Sequence, residues 1–487
     1  MTTEANGPLY DLHQVAYDIF RRSLEAGSIE AAFDRHLHFE GNVLVRNISP
    51  LLPPSRIELN NFKSILVIAI GKAAKPLIET LLSRMSRRKG LRGLCCAPQI
   101  PRKRNWRVRY FAGGHPLPDK NSFDAARSAL HMLHRARKNT FIFFLISGGG
   151  STMFELPLDP TISLEDTRMF HQALISCGAT IAEINTVRKH FSAVKGGRLA
   201  LAAPNATKLS LLLPDVPLHH LDALASSPTL PDGTTIAQTR EILQRYDLLA
   251  RFPQSVRSFF QRKDLPETPG AKVAHTWASQ PYADARMARA SAFPVSTNVD
   301  PFGSGSIGFD TLLSSHDLLN AASDRARSLG YEVVIDNTCD EWDYAEAARY
   351  LLERFHALRK EHPLFCLVSG GEVAVKLDGP VGIGGRNQQF ALACAFDLAR
   401  WEGEPLAVFS AGTDGIDGNS TVAGAIADTT TIRRARAYGF DPQASLSQFN
   451  ACPLFTALGD AVVTGPTGQN LRDLRMLLAD QRRPSTK

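Results

Sequence analysis

The sequence feature that most constrains the fold is a series of short hydrophobic runs, each ending in glycine, serine or aspartate. Strands that helices cover on both faces are hydrophobic throughout, so these runs predict buried strands. Between them lie stretches with helical spacing of hydrophobic residues, such as 122–137 and 316–329. Ser314 or Ser315 could begin the second of these helices, and Gly330 could end it. The chain is therefore predicted to be an α/β protein with mainly parallel sheets flanked by helices. The hydrophobic runs are Ser64–Ile70, Thr140–Ile146, Thr207–Leu213, Tyr331–Ile335, Pro363–Val368 and Leu406–Phe409.

The length of the chain predicts more than one domain. A chain of 487 residues exceeds what a single core supports, so two or three domains are expected. Residues 262–307 are rich in proline and end in a Gly/Ser cluster, as expected for a connection between domains. We therefore predict a Rossmann-like α/β domain over residues 1–265 and a smaller α/β domain over residues 266–487.

Composition excludes several classes of protein. The net charge is +7, and much of the excess lies in residues 84–109, where few aromatic residues accompany the cations. This cluster favours a solvated basic loop over a nucleic-acid surface. No hydrophobic run approaches the roughly 20 residues of a membrane span, and the N-terminus has no signal core. Seven cysteines follow no zinc or disulfide spacing, so a reducing, cytoplasmic location is expected.

Three of the strand ends in the N-terminal half carry residues suited to anions or hydroxyl groups. Ligands in α/β sheets usually lie beyond the carboxyl ends of the strands. Gly71-Lys72 joins the first strand to a helix, where exposed backbone N–H groups and the lysine could meet an anion. Ser147-Gly148-Gly149-Gly150-Ser151 could form a nest of amides around a phosphate. Asp215, between two prolines, suits a metal ligand or a base for a substrate hydroxyl.

Two loops of the C-terminal half continue the pattern. Gly384-Gly385-Arg386-Asn387 would let an arginine approach a phosphate closely, with its fork of donors. Asp414 and Asp417, set among glycines, could hold Mg²⁺. Each loop alone could be an ordinary turn, but five in one chain point to a site. The letters Gly303-x-Gly305-x-x-Gly308 match a dinucleotide fingerprint, but they follow no clear strand and open no helix, so an NAD site is not predicted.

The order of these motifs resembles the glycerate kinase family of the glycerate 2-kinase type, from about residue 10 to about residue 480. The resemblance implies two α/β domains with an active site in the cleft between them. It also implies ATP, a divalent cation such as Mg²⁺, and phosphoryl transfer to a hydroxyl of D-glycerate. The family's important residues fall on Lys72, Asp215, Arg386 and Asp414. The matching segments are Gly71–Ala74, Gly114–Asp119, Leu145–Ser151, Glu183–His190, Lys195–Ala200, Gly384–Gln388, Gly412–Gly418 and Thr464–Asn470.

The sequence also departs from the pattern of that family. Two acidic positions after Asp215 are His219 and His220, and a glycine is Ser227. Two readings beside a D-glycerate kinase therefore stay open: a kinase for a more anionic hydroxy acid, and a catalytically weakened regulatory homologue. Either kinase has a small hydroxy acid and ATP as partners, and the sequence predicts no oligomeric state. Three further departures lie in the C-terminal half: Val373, Ala374 and Gln389.

Overall fold

The computed structural model describes residues 8–47, 54–85, 90–216, 218–270, 307–377, 381–468 and 470–481. The chain divides into two compact units, residues 32–312 and residues 1–31 with 313–487. We call them the parallel-sheet unit and the mixed-sheet unit. Within the residues described, no helix combines the length and apolar content needed to cross a bilayer.

The elements up to residue 312 include most of the parallel-sheet unit. The helices are α1 (Pro8–Ala26), α2 (Ile29–His36), α3 (Ala74–Arg84), α4 (Lys120–His134), α5 (Gly150–Met153), α6 (Leu164–Ile175), α7 (Ile181–Phe191), α8 (Arg198–Leu201), α9 (Ile236–Arg245), α10 (Leu248–Arg251) and α11 (Gln254–Gln261). The strands are β1 (Leu37–Glu40), β2 (Val43–Arg46), β3 (Ser55–Glu58), β4 (Ser64–Ile70), β5 (Leu91–Ala97), β6 (Val108–Ala112), β7 (Thr140–Ser147), β8 (Thr207–Leu213) and β9 (Ile307–Thr311). Short 3₁₀ segments occur at Leu59–Asn61 and Leu218–Ser226.

The parallel-sheet unit is built on a six-stranded sheet in the order β6-β5-β4-β7-β8-β9. Every neighbouring pair in it is parallel. The central strands β4, β7 and β8 are buried along almost their whole length, as the runs predicted, although β8 also buries the polar residues Lys208 and Ser210. A separate antiparallel sheet contains β1, β2 and β3. The parallel order brings the carboxyl ends of β4, β7 and β8 to one edge, where the predicted loops begin.

The remaining elements form the mixed-sheet unit together with α1. Its helices are α12 (Ser315–Ser328), α13 (Tyr344–Leu358), α14 (Arg386–Leu398), α15 (Thr431–Ala437), α16 (Pro442–Ser447) and α17 (Ala451–Leu458), with a 3₁₀ segment at Ala399–Trp401. Its strands are β10 (Glu332–Ile335), β11 (Leu364–Gly371), β12 (Leu406–Gly412), β13 (Gly424–Asp428), β14 (Ala461–Val462) and β15 (Asp473–Asp480). Ser314 lies at the start of α12, where Oδ2 of Asp317 accepts from its backbone N–H and its hydroxyl.

The second six-stranded sheet differs from the prediction of mainly parallel sheets. Its order is β10-β11-β15-β12-β13-β14, and only the pair β10–β11 is parallel. The last strand, β15, lies between β11 and β12 and is antiparallel to both. Strands β12 and β13 are also antiparallel, since the loop between them carries no crossover helix. The α/β class itself is confirmed, and the parallel arrangement holds for the first sheet.

The division of the chain also differs from the predicted boundary at residues 265 and 266. Helix α1 belongs to the mixed-sheet unit, where Asp18 forms an ion pair with Arg325 at 2.6 Å. The ring of Phe20 lies 4.9 Å from that of Phe409 on β12. At the other end, β9 pairs with β8 and so extends the parallel-sheet unit to residue 312. Most of the predicted linker, residues 271–306, lies outside the described residues. The same range includes Gly303 and Gly305.

Candidate active site

The joint between β4 and α3 depends on a glycine and uses its own amides. A side chain at Gly71, whose φ is +111°, would overlap the backbone at Ser147. The Gly71 N–H donates to the carbonyl of Cys96 (3.0 Å), and the Lys72 N–H donates to that of Gly148 (2.8 Å). The next N–H, of Ala73, donates to Oγ of Ser147 (3.0 Å). The predicted role of Gly71 as an anion-binding amide is therefore corrected: these N–H groups hold two strand ends together. The side chain of Lys72 is exposed.

The loop after β7 brings together two of the predicted residues. Asp215, after β8, lies so close to Gly148 that any side chain at Gly148 would overlap its carboxylate. A Cβ atom on Gly149 would lie 2.9 Å from Cγ of Lys72. The two glycines therefore allow a cation and a carboxylate from neighbouring strand ends to lie against the same short loop.

The start of α5 follows directly from this loop. Gly149 has a left-handed φ of +78° and precedes Gly150, and no side chain caps the helix. A side chain at Gly150 would meet Cβ of Ala225 at 2.8 Å. The hydroxyl of Ser151 is hydrogen-bonded to that of Ser226 (2.8 Å). The predicted nest at Gly148–Gly150 thus has an uncapped helix start, whereas the hydroxyls of Ser147 and Ser151 have partners within the protein.

A histidine that the loop motifs did not single out lies beside this site. His115 follows β6, and its Nδ1 is 3.4 Å from Oγ1 of Thr152 in α5. Burial lowers the pKa of His115, the positive charges of Lys72 and Arg188 lower it further, and Asp215 acts in the opposite direction. The imidazole is therefore neutral at pH 7. The sequence signal for it was the motif Gly114–Asp119, to which no role had been assigned.

Buried ion pairs support the segment that follows α5. Glu155 is fully buried and contacts Nζ of Lys195 (2.7 Å), Nε2 of His171 (3.0 Å) and the hydroxyl of Ser192. Burial alone would raise the pKa of Glu155, but Lys195 and His171 lower it to about 2. Burial lowers the pKa of His171 to about 4. The cluster therefore holds one charged pair and one neutral imidazole at pH 7.

Arg386 begins α14 in the mixed-sheet unit and is already paired. Its Nε donates to Oδ2 of Asp473 at 2.6 Å, and its Nη2 donates to Oδ1 at 3.0 Å. Nη2 also lies 2.8 Å from Oε1 of Glu372. Burial lowers the pKa of Arg386, but Asp473 and Glu372 raise it to a larger extent. The guanidinium is therefore a fixed cation with carboxylates on two sides.

Asp417, which was predicted to bind a metal ion, is hydrogen-bonded to the start of α14 instead. Its Oδ1 accepts from N–H and Nδ2 of Asn387 (3.0 and 3.3 Å), and its Oδ2 accepts from N–H and Nε2 of Gln388 (2.9 Å each). These bonds occupy the acceptor positions of the carboxylate, so Asp417 holds the first turn of α14. Burial raises the pKa of Asp417 to about 6. Gly385 is needed because a side chain there would overlap Asp417.

The residues predicted to contact the cofactor beside Asp417 also have hydrogen-bond partners within the protein. Both ends of the Asn387 amide have partners, since its Oδ1 accepts from the hydroxyl of Ser410 (2.6 Å). The Gly384 N–H donates to Oδ1 of Asn419 (2.8 Å). The predicted cofactor contacts of Gly384, Gly385 and Asn387 therefore have structural partners instead.

Asp414 is the remaining candidate for a metal ligand. It is half-buried, and its Oδ1 accepts from the N–H of Ile416 (3.1 Å). Among the described residues, no group of three or more His, Cys, Asp or Glu side chains could hold a metal ion. Mg²⁺ often takes only one or two protein carboxylates and completes its shell with phosphate and water. The role of Asp414 stays a prediction.

Three of the departures from the family pattern follow Asp215 in the sequence. Ser227 is buried and has a left-handed φ of +57°, as do Ala225 (+49°) and Ser226 (+58°). A glycine would adopt this backbone without cost, which explains why the family pattern has glycine there. His220 is exposed, and the side chain of His219 lies outside the described residues.

The fold and these strand-end clusters define a two-unit α/β protein with charged groups at the glycine-rich ends of its strands. Residues 15–261 match a family model described as a domain of unknown function, DUF4147, and residues 365–473 match the MOFRL family. A glycerate 2-kinase of Pyrococcus horikoshii is 34% identical over 428 residues, covering 86% of this chain and 88% of the relative. A D-glycerate 2-kinase of Thermotoga maritima is 35% identical over 368 residues, covering 75% and 78%.

Solved structures agree with these sequence matches. The crystal structure of a glycerate kinase (EC 2.7.1.31) from Thermotoga maritima superposes with a TM-score of 0.76 and 29% identity. The match covers 96% of this chain and 99% of that one. The chain belongs to the glycerate kinase family, which confirms the resemblance seen in the motifs.

Proposed function

We propose that this protein transfers the γ-phosphoryl group of ATP to a hydroxyl of D-glycerate, giving 2-phosphoglycerate. The observation that carries the proposal is the position of Lys72 and Asp215 against Gly148 and Gly149 at one edge of the parallel sheet. Phosphoryl transfer needs charge neutralisation and a positioned acceptor, and a cation beside a carboxylate supplies both. Relatives named glycerate 2-kinase that align over most of the chain support the same substrate.

The residues of the parallel-sheet unit divide the work between them. Asp215 orients the acceptor hydroxyl and takes its proton on a carboxylate oxygen. Lys72 places its ammonium against phosphate or substrate oxygens. No side chain caps the start of α5, so the backbone amides of Gly149 and Gly150 are the candidates to bind an anionic group. His115, neutral at pH 7, can donate or accept a hydrogen bond without competing with Lys72 for the anion.

The mixed-sheet unit supplies the second set of candidates. The carboxylate of Asp414 fits one coordination position of a Mg²⁺ ion that accompanies ATP. ATP itself supplies the phosphoryl group. Arg386 provides a fixed positive charge, but Asp473 and Glu372 share it, so it balances a phosphate only in part.

A cytoplasmic location forms part of this proposal. All seven cysteines are free thiols, and five of them are buried. Burial raises the pKa of Cys95 to about 12, so this thiol is unreactive at neutral pH. Free, buried thiols suit a reducing compartment.

The test compares two lysines of the same loop and helix start. Lys72→Met should lower kcat for ADP release with D-glycerate by at least about 100-fold, as for other lost electrostatic contacts in transition states. Lys75→Met is the matched control, since Lys75 is another exposed lysine one turn along α3, and it should behave as wild type. Equal activity of the two variants would remove Lys72 from the site. The product is identified as 2- or 3-phosphoglycerate by NMR.

A kinase for a more anionic hydroxy acid is the alternative that the same assay decides. Replacing two acids by His219 and His220 removes negative charge near Asp215, so dicarboxylic or phosphorylated hydroxy acids would be repelled less. The double variant His219→Asp/His220→Asp should then shift kcat/KM towards D-glycerate. An unchanged ratio of specificity constants would show that the two histidines have no part in selection. The assay is run with D-glycerate and with dicarboxylic and phosphorylated hydroxy acids. Nucleotide binding without turnover of any of these acids would favour the regulatory homologue.

A further inference from the structure

Arg188 on α7 is a buried cation that forms no ion pair with a described carboxylate and leaves its Nε donor without an acceptor. Arg188 is only 6% exposed. Its Nε has no hydrogen-bond partner, and no described carboxylate forms an ion pair with it. A guanidinium carries five donors in a planar fork, and leaving a buried one without an acceptor is costly. A ligand with free acceptor oxygens would complete such a group.

Two other buried cations of the parallel-sheet unit form ion pairs with carboxylates, whereas no described carboxylate forms one with Arg188. Lys189, its neighbour in the helix, contacts Asp232 at 2.9 Å and Asp222 at 3.1 Å. Lys195 contacts Glu155 at 2.7 Å. Glu155 also influences Arg188, but its oxygens are held by Lys195, His171, Ser192 and the Leu156 N–H. No acceptor of the Glu155 cluster is therefore left for the guanidinium.

A chain of hydrogen bonds links the face of α7 that carries Arg188 to the Gly149–Ser151 loop. Asn185 lies one turn earlier on the same face of α7, and its Oδ1 accepts from the hydroxyl of Ser226 (3.0 Å). That hydroxyl is also bonded to Ser151, at the start of α5. The positive charge of Arg188 acts on His115 together with that of Lys72. Arg188 thus belongs to the same cluster as Lys72 and Asp215, all three of which act on His115.

We propose that Arg188 binds the carboxylate of the hydroxy-acid substrate, with its guanidinium fork, while Asp215 faces the hydroxyl that is phosphorylated. The inference rests on the proposed function and adds to it the residue that selects an acid over an uncharged polyol. A carboxylate offers two oxygens that match the fork, and the buried position strengthens the pairing. Arg188 is therefore a substrate-binding residue. Burying it without an ion-pair partner destabilises the ligand-free fold, and binding of the acid offsets that free energy.

The experiment uses two neighbouring buried cations with opposite expectations. Arg188→Met removes a buried charge that has no partner, so the Tm of the ligand-free protein should rise by about 2–4 °C. Lys189→Met, the matched control, leaves Asp232 buried without its cation, so its Tm should fall. Calorimetric titration with D-glycerate should show a Kd about 10- to 100-fold weaker for Arg188→Met, whereas the Kd for ATP stays unchanged. Arg188→Lys keeps a charge without the fork and should lie between.

The outcomes separate this inference from the proposed function. Wild-type affinity for D-glycerate in Arg188→Met, or a failure of the wild type to bind any small carboxylate, would overturn the role of Arg188. A weakened Kd for ATP with an unchanged Kd for D-glycerate would also overturn it. If the wild type releases ADP with D-glycerate and Arg188→Met keeps the same KM, the inference fails and the function stands. If carboxylate binding depends on Arg188 but no hydroxy acid is phosphorylated, the function fails and the inference stands.

Discussion

The buried histidine His171 provides a quantitative test of the interior of the parallel-sheet unit. Burial lowers its pKa from an ordinary 6.5 to about 4 in the folded protein. Because the folded pKa is the lower one, the unfolded chain binds more protons between these values, so stability is lost as pH falls through this window. The full difference corresponds to about 3 kcal/mol, of which about 2 kcal/mol is lost by pH 5.

The perturbation that removes this linkage is His171→Gln. Glutamine keeps a nitrogen donor for Glu155 but cannot be protonated. The variant should be less stable than wild type at pH 7.5, and its disadvantage should shrink by about 2 kcal/mol at pH 5 because only wild type must pay to keep a neutral imidazole. The assay is urea denaturation at pH 7.5, 6 and 5, with exposed His131 on α4 as the matched control position (His131→Gln).

Two outcomes would refute the reasoning on His171. Stability curves of wild type and His171→Gln that run parallel from pH 7.5 to pH 5 would mean that the imidazole does not change its proton affinity on folding. A pH-dependent difference of the same size in His131→Gln would mean that the effect arises in the unfolded chain. Either result would contradict the buried, neutral His171 described beside Glu155 and Lys195.

Four further predictions concern single side chains. Ser227→Gly should be more stable to urea than Ser227→Ala by about 1 kcal/mol, since both lose the serine hydroxyl and only alanine keeps the left-handed strain. Asp417→Ala should lower the free energy of unfolding by about 2–4 kcal/mol by leaving buried amides of α14 without acceptors; Asp414→Asn should instead raise the Mg²⁺ concentration needed for half-maximal activity, with a stability change below about 1 kcal/mol. Glu372→Gln should tighten nucleotide binding by freeing a donor of Arg386.

The sequence predicted three strands of the first sheet, β4, β7 and β8, because the hydrophobic pattern that marks them is local. A run that is hydrophobic at almost every position is most stable between two layers of helices, and Ser64–Ile70 and Thr140–Ser147 are both buried along almost their whole length. The antiparallel neighbours of the second sheet were not predictable in this way. They depend on β15, a strand at the end of the chain, lying between β11 and β12, and no local pattern encodes that pairing.

The sequence could likewise predict only part of the candidate site. Parallel strands bring their carboxyl ends to one edge, so the sequence could place Lys72 near Asp215 without a structure. It could not tell which backbone amides are free, because the acceptors for Gly71 and Lys72 come from other strand ends. Nor could it separate Asp414 from Asp417, which lie in the same glycine-rich loop. The sequence did not single out Arg188, because it lies within a helix. Only the structure shows that this buried arginine forms no ion pair with a described carboxylate.

The state of Arg386 decides how much it can contribute to phosphate binding, and Glu372 is the group that tests it. Asp473 is 1% exposed and bidentate, so it stays with the guanidinium, whereas the Arg386 and Glu372 side chains are 35% and 31% exposed. An exposed pair of this kind is worth about 0.5–1 kcal/mol, so removing the competing carboxylate should tighten ATP binding about 2- to 5-fold. Fluorescent nucleotide titration of wild type and Glu372→Gln measures this, at low and high salt. A weaker Kd in the variant, or a higher Mg²⁺ requirement, would instead show that Glu372 serves the metal–nucleotide complex directly.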